Sequence, residues 1–320
     1  MRQFKKLISL TAIAILLSTN LGFAQSKAEK LMPSADVVFV NLNLKYPIVQ
    51  MVLNKDTDFK EEDIILSAIS INKKLRYNLN DLTDLYKSEN EKVLVRFIRD
   101  KKEYSQIFTS KDFRGIYLSF TQQFYGTITA VKEDGSFVGL SHNIKGSEVA
   151  DSTQVFETTY VHSIKATLFN SGGLKPHIKE NEDGKLNYIG DIGKYSDYGV
   201  EGKLKENKFE DKKSMDIAKP KKGIAYIYCK SPITNEKKLH QIEILKTYED
   251  GAKIKVKDKE LKEYRGGVIG GMSGSPVIQD GKLIGGVRSS LIYNHKIGYI
   301  SNIDYMLNNE KDKSESNIDK

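Results

Sequence analysis

Gly270-Gly271-Met272-Ser273-Gly274-Ser275-Pro276-Val277-Ile278-Gln279-Asp280-Gly281 sets one serine between glycines, ahead of a proline and a short apolar strand. A serine hydroxyl is a poor nucleophile until a base takes its proton and fixed donors hold the developing oxyanion. The glycines suit the second need. Without a Cβ at Gly271 and Gly274, the backbone can turn tightly and approach a substrate closely. The amides of Gly271 and Ser273 can then point at one spot, as an oxyanion hole does. Gly and Ser also cluster in ordinary turns, so the tetrapeptide alone decides little. Its surroundings decide more.

A serine hydrolase needs a base, and the histidines are His142, His162, His177, His240 and His295. His142 ends the apolar run Val138-Gly139-Leu140-Ser141, where a scaffold strand can fix a side chain that still faces a cleft. His162 follows a β-like run, His177 sits in a polar loop, and His240 and His295 stand among lysines and asparagines. The third member is a carboxylate that orients the imidazole and stabilises its charged form. Asp258 closes the strand Ala252–Val256 and lies fifteen residues before Ser273. Its plain alternative is a helix cap over Lys259-Glu260-Leu261.

The rest of the composition narrows the class. The chain has 320 residues, 39% hydrophobic and 29% charged, as an ordinary globular protein of two modest domains would. A net charge of +8 comes from scattered lysines interleaved with acids. No basic stripe with stacked aromatics emerges, so nucleic acid is not an expected partner. The single Cys229 excludes an intramolecular disulfide and, in the run Ile224–Tyr228, reads as a buried strand residue. No closed zinc ligand set is present in the sequence, and neither a metal nor a cofactor is expected. Arg2, Lys5 and Lys6, the apolar run Leu7–Leu17 and Gly22-Phe23-Ala24 form a secretory signal over residues 1–25. The protein is therefore expected outside the cytoplasm, with membrane association through the N-terminus if the signal stays as an anchor.

In chain order, residues 35–108 read as a small α/β unit. Strands are expected at Asp36–Val40, Ile48–Leu53, Ile69–Lys74 and Val93–Arg99, and a helix at Asn80–Tyr86. Glu62-Asp63-Ile64-Ile65 with Ile71-Asn72 resembles the "GDxIxxING" segment of PDZ domains. Glu62 stands where that pattern has glycine, and no carboxylate-binding loop of Gly-Leu-Gly-Phe type appears. From residue 109 to 308 short strands with frequent turn signals predict a sandwich or barrel, closed by a helix over 302–307. Residues 309–320 read as a disordered charged tail.

Four segments bear on the family. Phe124–Ile128 with Gly139–Ile144 resembles the histidine segment "GIGTLT…ALGHxI" of the stage IV sporulation protein B (SpoIVB) peptidases. Asp258 through Val287 resembles their serine core around GMSGSP, and Tyr198–Leu204 and Gly298–Leu307 resemble their central and C-terminal motifs. The resemblance implies a mainly β, chymotrypsin-like double β-barrel carrying the triad His142, Asp258 and Ser273. It also implies a serine endopeptidase acting between forespore and mother-cell membranes, on a membrane-associated regulator of sigma-factor processing, with self-cleavage. Ser141 and Arg288-Ser289-Ser290 depart from the family pattern and bear on substrate preference. An α/β-hydrolase elbow is excluded, since it needs glycine where Ser275 stands and a histidine after the serine in a βα pattern. The competing reading is a non-catalytic docking or signalling protein that keeps the fold.

Overall fold

The computed structural model describes residues 30–100, 102–140, 153–206 and 213–307. The predicted signal, His142 and the charged tail lie outside them. Strands dominate because apolar and polar residues alternate over short runs closed by turn residues.

The first sheet system contains β1 (Lys30–Val52), β2 (Ile64–Ser70), β3 (Lys92–Arg99), β4 (Lys102–Thr109), β5 (Ile116–Val131) and β6 (Ser136–Gly139). It continues with β7 (Thr153–Ile164), β8 (Gly173–Ile178), β9 (Tyr188–Ser196), β10 (Gly199–Leu204) and the short β11 (Met215–Asp216). Six of these close on themselves in the order β1, β5, β6, β10, β9, β7. The ring is completed because β7 returns to pair with β1 across Val38–Asn41. The second barrel is closed by β12 (Gly223–Lys230), β13 (Lys237–Thr247), β14 (Gly251–Val256), β17 (Asn294–Asn302), β16 (Lys282–Leu291) and β15 (Pro276–Gln279). The fold is mainly β with two closed barrels, the expected double barrel.

Each barrel has its own core. Val38, Val40, Ile128, Val131, Phe137 and Leu140 fill the first, and Ile227, Ile242, Ile254, Met272 and Val287 the second. A terminal helix, α2 (Ile303–Leu307), sets Ile303 and Met306 against Leu31, Ala130, Val138 and Leu283 and so joins the two. Burying each such side chain contributes about 1.5–3 kcal/mol.

The N-terminal unit differs from its expected form in three ways. The strand expected at Ile69–Lys74 is instead β2, Ile64–Ser70, and residues 71–73 are a turn in which the Lys73 amide donates to Ser70 Oγ. The strands expected at 36–40 and 48–53 are one continuous β1 of 23 residues. Pro47 has no N–H for the ladder, and the register with β5 shifts between Asn43 and Ile48, so the strand bends there without ending. The helix, α1 (Thr83–Lys87), starts later than Asn80, because Asn78 and Asp81 side chains accept from the amides of Asn80 and Thr83 and hold this stretch as a turn. Phe59, Phe97, Phe108 and Phe113 pack the core of this unit, with Phe59 and Phe108 stacked at 4.0 Å. Both β1 and β5 run from this unit into the first barrel.

Candidate active site

Ser273 lies in the loop that leads into β15, and the first barrel grips that loop through β5. The Ser273 carbonyl accepts from the Thr127 amide at 2.8 Å. Thr127 Oγ1 donates to the Gly271 carbonyl at 3.0 Å, and Thr129 Oγ1 to the Gly274 carbonyl at 2.6 Å. Gly274 N donates to Val287 O, and Val287 N to Ser275 O, which ties the loop to β16. The loop is thus held between two barrels by backbone contacts on both sides.

The glycines are where the turn needs them. Gly271 has φ +85° and Gly274 φ +88°, the left-handed region that L side chains avoid. A Cβ on Gly274 would sit 2.0 Å from Thr127 O and 2.5 Å from Leu140 N. Gly274→Ala is therefore expected to cost several kcal/mol, from strain and clash together, and to abolish activity. Thermal unfolding alongside a peptidase assay checks this; a variant with wild-type Tm and turnover would show that the loop does not need this conformation.

Ser273 Oγ is shielded from solvent and has no hydrogen-bond partner among the described residues. A buried hydroxyl in that state is costly, and native structures almost always supply a partner. The amides of Gly271 and Ser273 donate to no backbone carbonyl among the described residues. Among the described residues, both predicted oxyanion donors are therefore uncommitted to backbone pairing.

The approach to His142 is described as far as Leu140. Leu140 N donates to Thr127 O, and the same amide is the close neighbour of Gly274 noted above. Leu140 has φ +53°, a left-handed conformation that costs a leucine about 1–2 kcal/mol. Strain of this kind gathers at functional sites. The chain thus leaves β6 against the serine loop, two residues before His142 in sequence, and His142 itself lies outside the described residues.

Asp258 follows β14, with its own amide on Gln241 O at 2.8 Å. Its Oδ1 accepts from the Leu261 amide at 2.9 Å, at the start of a π-helical turn (Leu261–Arg265), and meets His240 Nδ1 at 3.1 Å. The carboxylate therefore does act as a cap. Its other oxygen, Oδ2, takes no hydrogen bond among the described residues.

His240 and its neighbours form a buried polar group that the sequence reading did not find. His240 is fully buried on β13, beside Cys229 on β12 and near the buried Arg265. Arg265 donates to Lys230 O at 2.6 Å and to Cys229 Sγ at 3.5 Å. Burial pushes the imidazole of His240 down, but the Cys229 thiol and the Asp258 carboxylate outweigh it, so its pKa is raised. The thiol acts on the ring without meeting hydrogen-bond geometry at Nε2. Burial likewise pushes the Cys229 thiol up, while His240 and the Arg265 charge bring it below its usual range. One signal was legible: His240, Ile242 and Ile244 share one face of β13, so the alternation that buries the isoleucines buries the histidine. His240 Nδ1, Asp258 and Glu260 present ligand atoms within 4.8 Å of one another. Lys238 already neutralises Glu260 at 2.6 Å, and the Leu261 amide already serves Asp258. Protein groups thus already serve the two carboxylates, while His240 Nε2 and Arg265 Nε are buried without a hydrogen-bond partner among the described residues.

His162 and His177 pair across β7 and β8 with ring centroids 5.3 Å apart, on an exposed face. His295 bonds Ser290 Oγ at 3.1 Å. Among the described residues, none of the histidines touches Ser273.

No curated protein matches the chain. Among solved structures it is similar to the Rv3671c protease from M. tuberculosis in its active form, with 14% identity, 59% of this chain and 74% of that chain covered, and a TM-score of 0.37. The inactive form of the same protease gives 13% identity, 58% and 82% coverage and a TM-score of 0.35. The family described as SpoIVB peptidase S55 matches residues 111–307, more than half of the chain and all of its serine-loop segment. The chain belongs to the SpoIVB peptidase S55 family and is a serine peptidase.

Proposed function

We propose that the protein is an extracytoplasmic serine endopeptidase in which His142 takes the Ser273 proton, Asp258 orients the imidazole, and the Gly271 and Ser273 amides hold the oxyanion. The observation that carries this reading is the serine loop itself. Among the described residues Ser273 Oγ is buried without a hydrogen-bond partner and the Gly271 and Ser273 amides donate to no backbone carbonyl, where Leu140 brings the chain to within two residues of His142. Asp258 keeps one carboxylate oxygen without a hydrogen bond among the described residues, as a triad acid requires. Family membership supports a protein substrate. From the same likeness we infer a membrane-associated regulator of sigma-factor processing, met after secretion through the N-terminal signal.

The N-terminal unit is proposed to be a degenerate PDZ-like module. Glu62 supports this: it stands in the glycine position of that pattern and has a glycine-like φ of +74°.

A fluorophosphonate probe tests the chemistry. It should label the folded full chain once, and mass mapping should place the adduct on Ser273. Labelling on Ser275, or a proteolytically active chain that resists the probe, would refute the assignment.

A further inference from the structure

Two hairpin tips flank the serine loop and carry large apolar side chains straight into solvent. In the β7–β8 connection Leu168 is 74% and Phe169 99% exposed; in the β16–β17 turn Ile292 is 74% and Tyr293 84% exposed. Single exposed apolar residues are ordinary on a soluble surface. Adjacent pairs at two tips around one site are not, and call for a partner.

The tips lean on the same short segment. Ala166 N donates to Arg265 O, and Leu174 N to Gly270 O, so the first hairpin lies along 265–270. On another side of that segment, Val268 N donates to His295 O, and a Cβ on Gly267 would meet His295 O at 2.0 Å. Segment 265–270 runs directly into Gly271 and Ser273. Tyr264, 52% exposed, adds an aromatic ring from the π-helical turn between the tips. The first tip is also braced: Thr167 N bonds Asn170 O, and Gly172 N bonds Asn170 Oδ1 at 2.7 Å. Leu168 and Phe169 are thus held outward by a formed turn.

The charges around the tips choose the partner. Lys165 stands three residues before Leu168 and Lys296 three after Tyr293, with Lys175 on β8 and Lys262 on the π-helical turn, while Glu263 of that turn sits 3.9 Å from Lys259. Aromatic and aliphatic tips within a lysine collar match the interface of an anionic bilayer. There apolar groups enter the headgroup–acyl boundary and lysines meet lipid phosphates. A peptide pocket would be concave, and these tips project.

We propose that the Leu168-Phe169 tip of the first sheet system and the Ile292-Tyr293 tip of the second barrel dock the peptidase onto an anionic lipid surface. The serine loop is then presented to polypeptide lying at the membrane. That last consequence rests on the peptidase reading; the docking does not.

The chain has no tryptophan, so one introduced indole reports its own position alone. Phe169→Trp, Tyr293→Trp and a control, Tyr104→Trp on β4 of the N-terminal unit, are made in the full chain. Each is mixed with phosphatidylcholine vesicles, with or without phosphatidylglycerol, carrying brominated acyl chains. At the two tips, emission should shift to the blue and lose most of its intensity on the anionic vesicles, several-fold less on phosphatidylcholine alone, while Tyr104→Trp stays unquenched. The readout needs no turnover and is expected unchanged in a Ser273→Ala background, which separates docking from catalysis. The proposal fails if the tips stay unquenched, whether or not the N-terminus holds the chain on the vesicle. It also fails if the control is quenched equally. A lipid-independent blue shift that grows with protein concentration would assign the tips to a second copy of the chain and overturn it.

Discussion

Replacing Ser273 with alanine is expected to lower kcat for peptide hydrolysis by about 10⁶-fold, the scale seen when a triad nucleophile is removed. The fold should survive. Ser273 is fixed by its carbonyl, which accepts from Thr127 N, and the variant keeps that bond as well as the two threonine contacts to Gly271 and Gly274. Among the described residues the Ser273 hydroxyl has no hydrogen-bond partner, so none of their bonds is lost with it and Tm can even rise slightly as a buried polar group is removed. Inactivity with an unchanged or higher Tm is thus the expected pair of results. Retained turnover, with Ser275→Ala inactive, would move the nucleophile two residues along.

Asp258→Asn is expected to lower kcat by about 10⁴-fold through loss of the correct imidazole tautomer. Stability should change little, because asparagine caps a helix about as well as aspartate and the Leu261 amide keeps an acceptor. The contact with His240 Nδ1 sharpens the test. Were Asp258 only a cap and a partner for that buried ring, the asparagine variant would fold and turn over like the parent. A kinetic assay and a melting curve on one protein therefore decide between the two roles.

Much of this was legible beforehand, and what was not has identifiable causes. The strand expected at Ala252–Val256 is β14 within one residue, since Ile254 and Val256 each need an inner face, whereas β17 went unread. The glycines of the serine loop announced a tight turn, and both positions have positive φ. The closure of the first barrel was hidden, because β1 meets β7 only after more than a hundred residues of chain, a pairing that local periodicity cannot carry. The helix start at Thr83 was missed because Asn78 and Asp81 turn the preceding chain with their own side chains. His240 was passed over because a lone polar residue between lysines looks solvated, although its register with Ile242 pointed inward.

The long strand β1 has a consequence for where this molecule can be divided. The family likeness begins at residue 111, yet β1 occupies Lys30–Val52 and supplies one of the six staves of the first barrel. A fragment cut at that border would lose the partner of β5 along Met32–Val52 and of β7 along Val38–Asn41. Two long strands would then present bare amides and carbonyls to their neighbours in solution, the condition for edge-to-edge aggregation. Thr127 and Thr129, which hold the serine loop, sit on one of those stripped strands. The peptidase is therefore indivisible at its own family boundary: the N-terminal residues are a part of the barrel wall, and a proteolytic nick that let them drift away would disarm the enzyme.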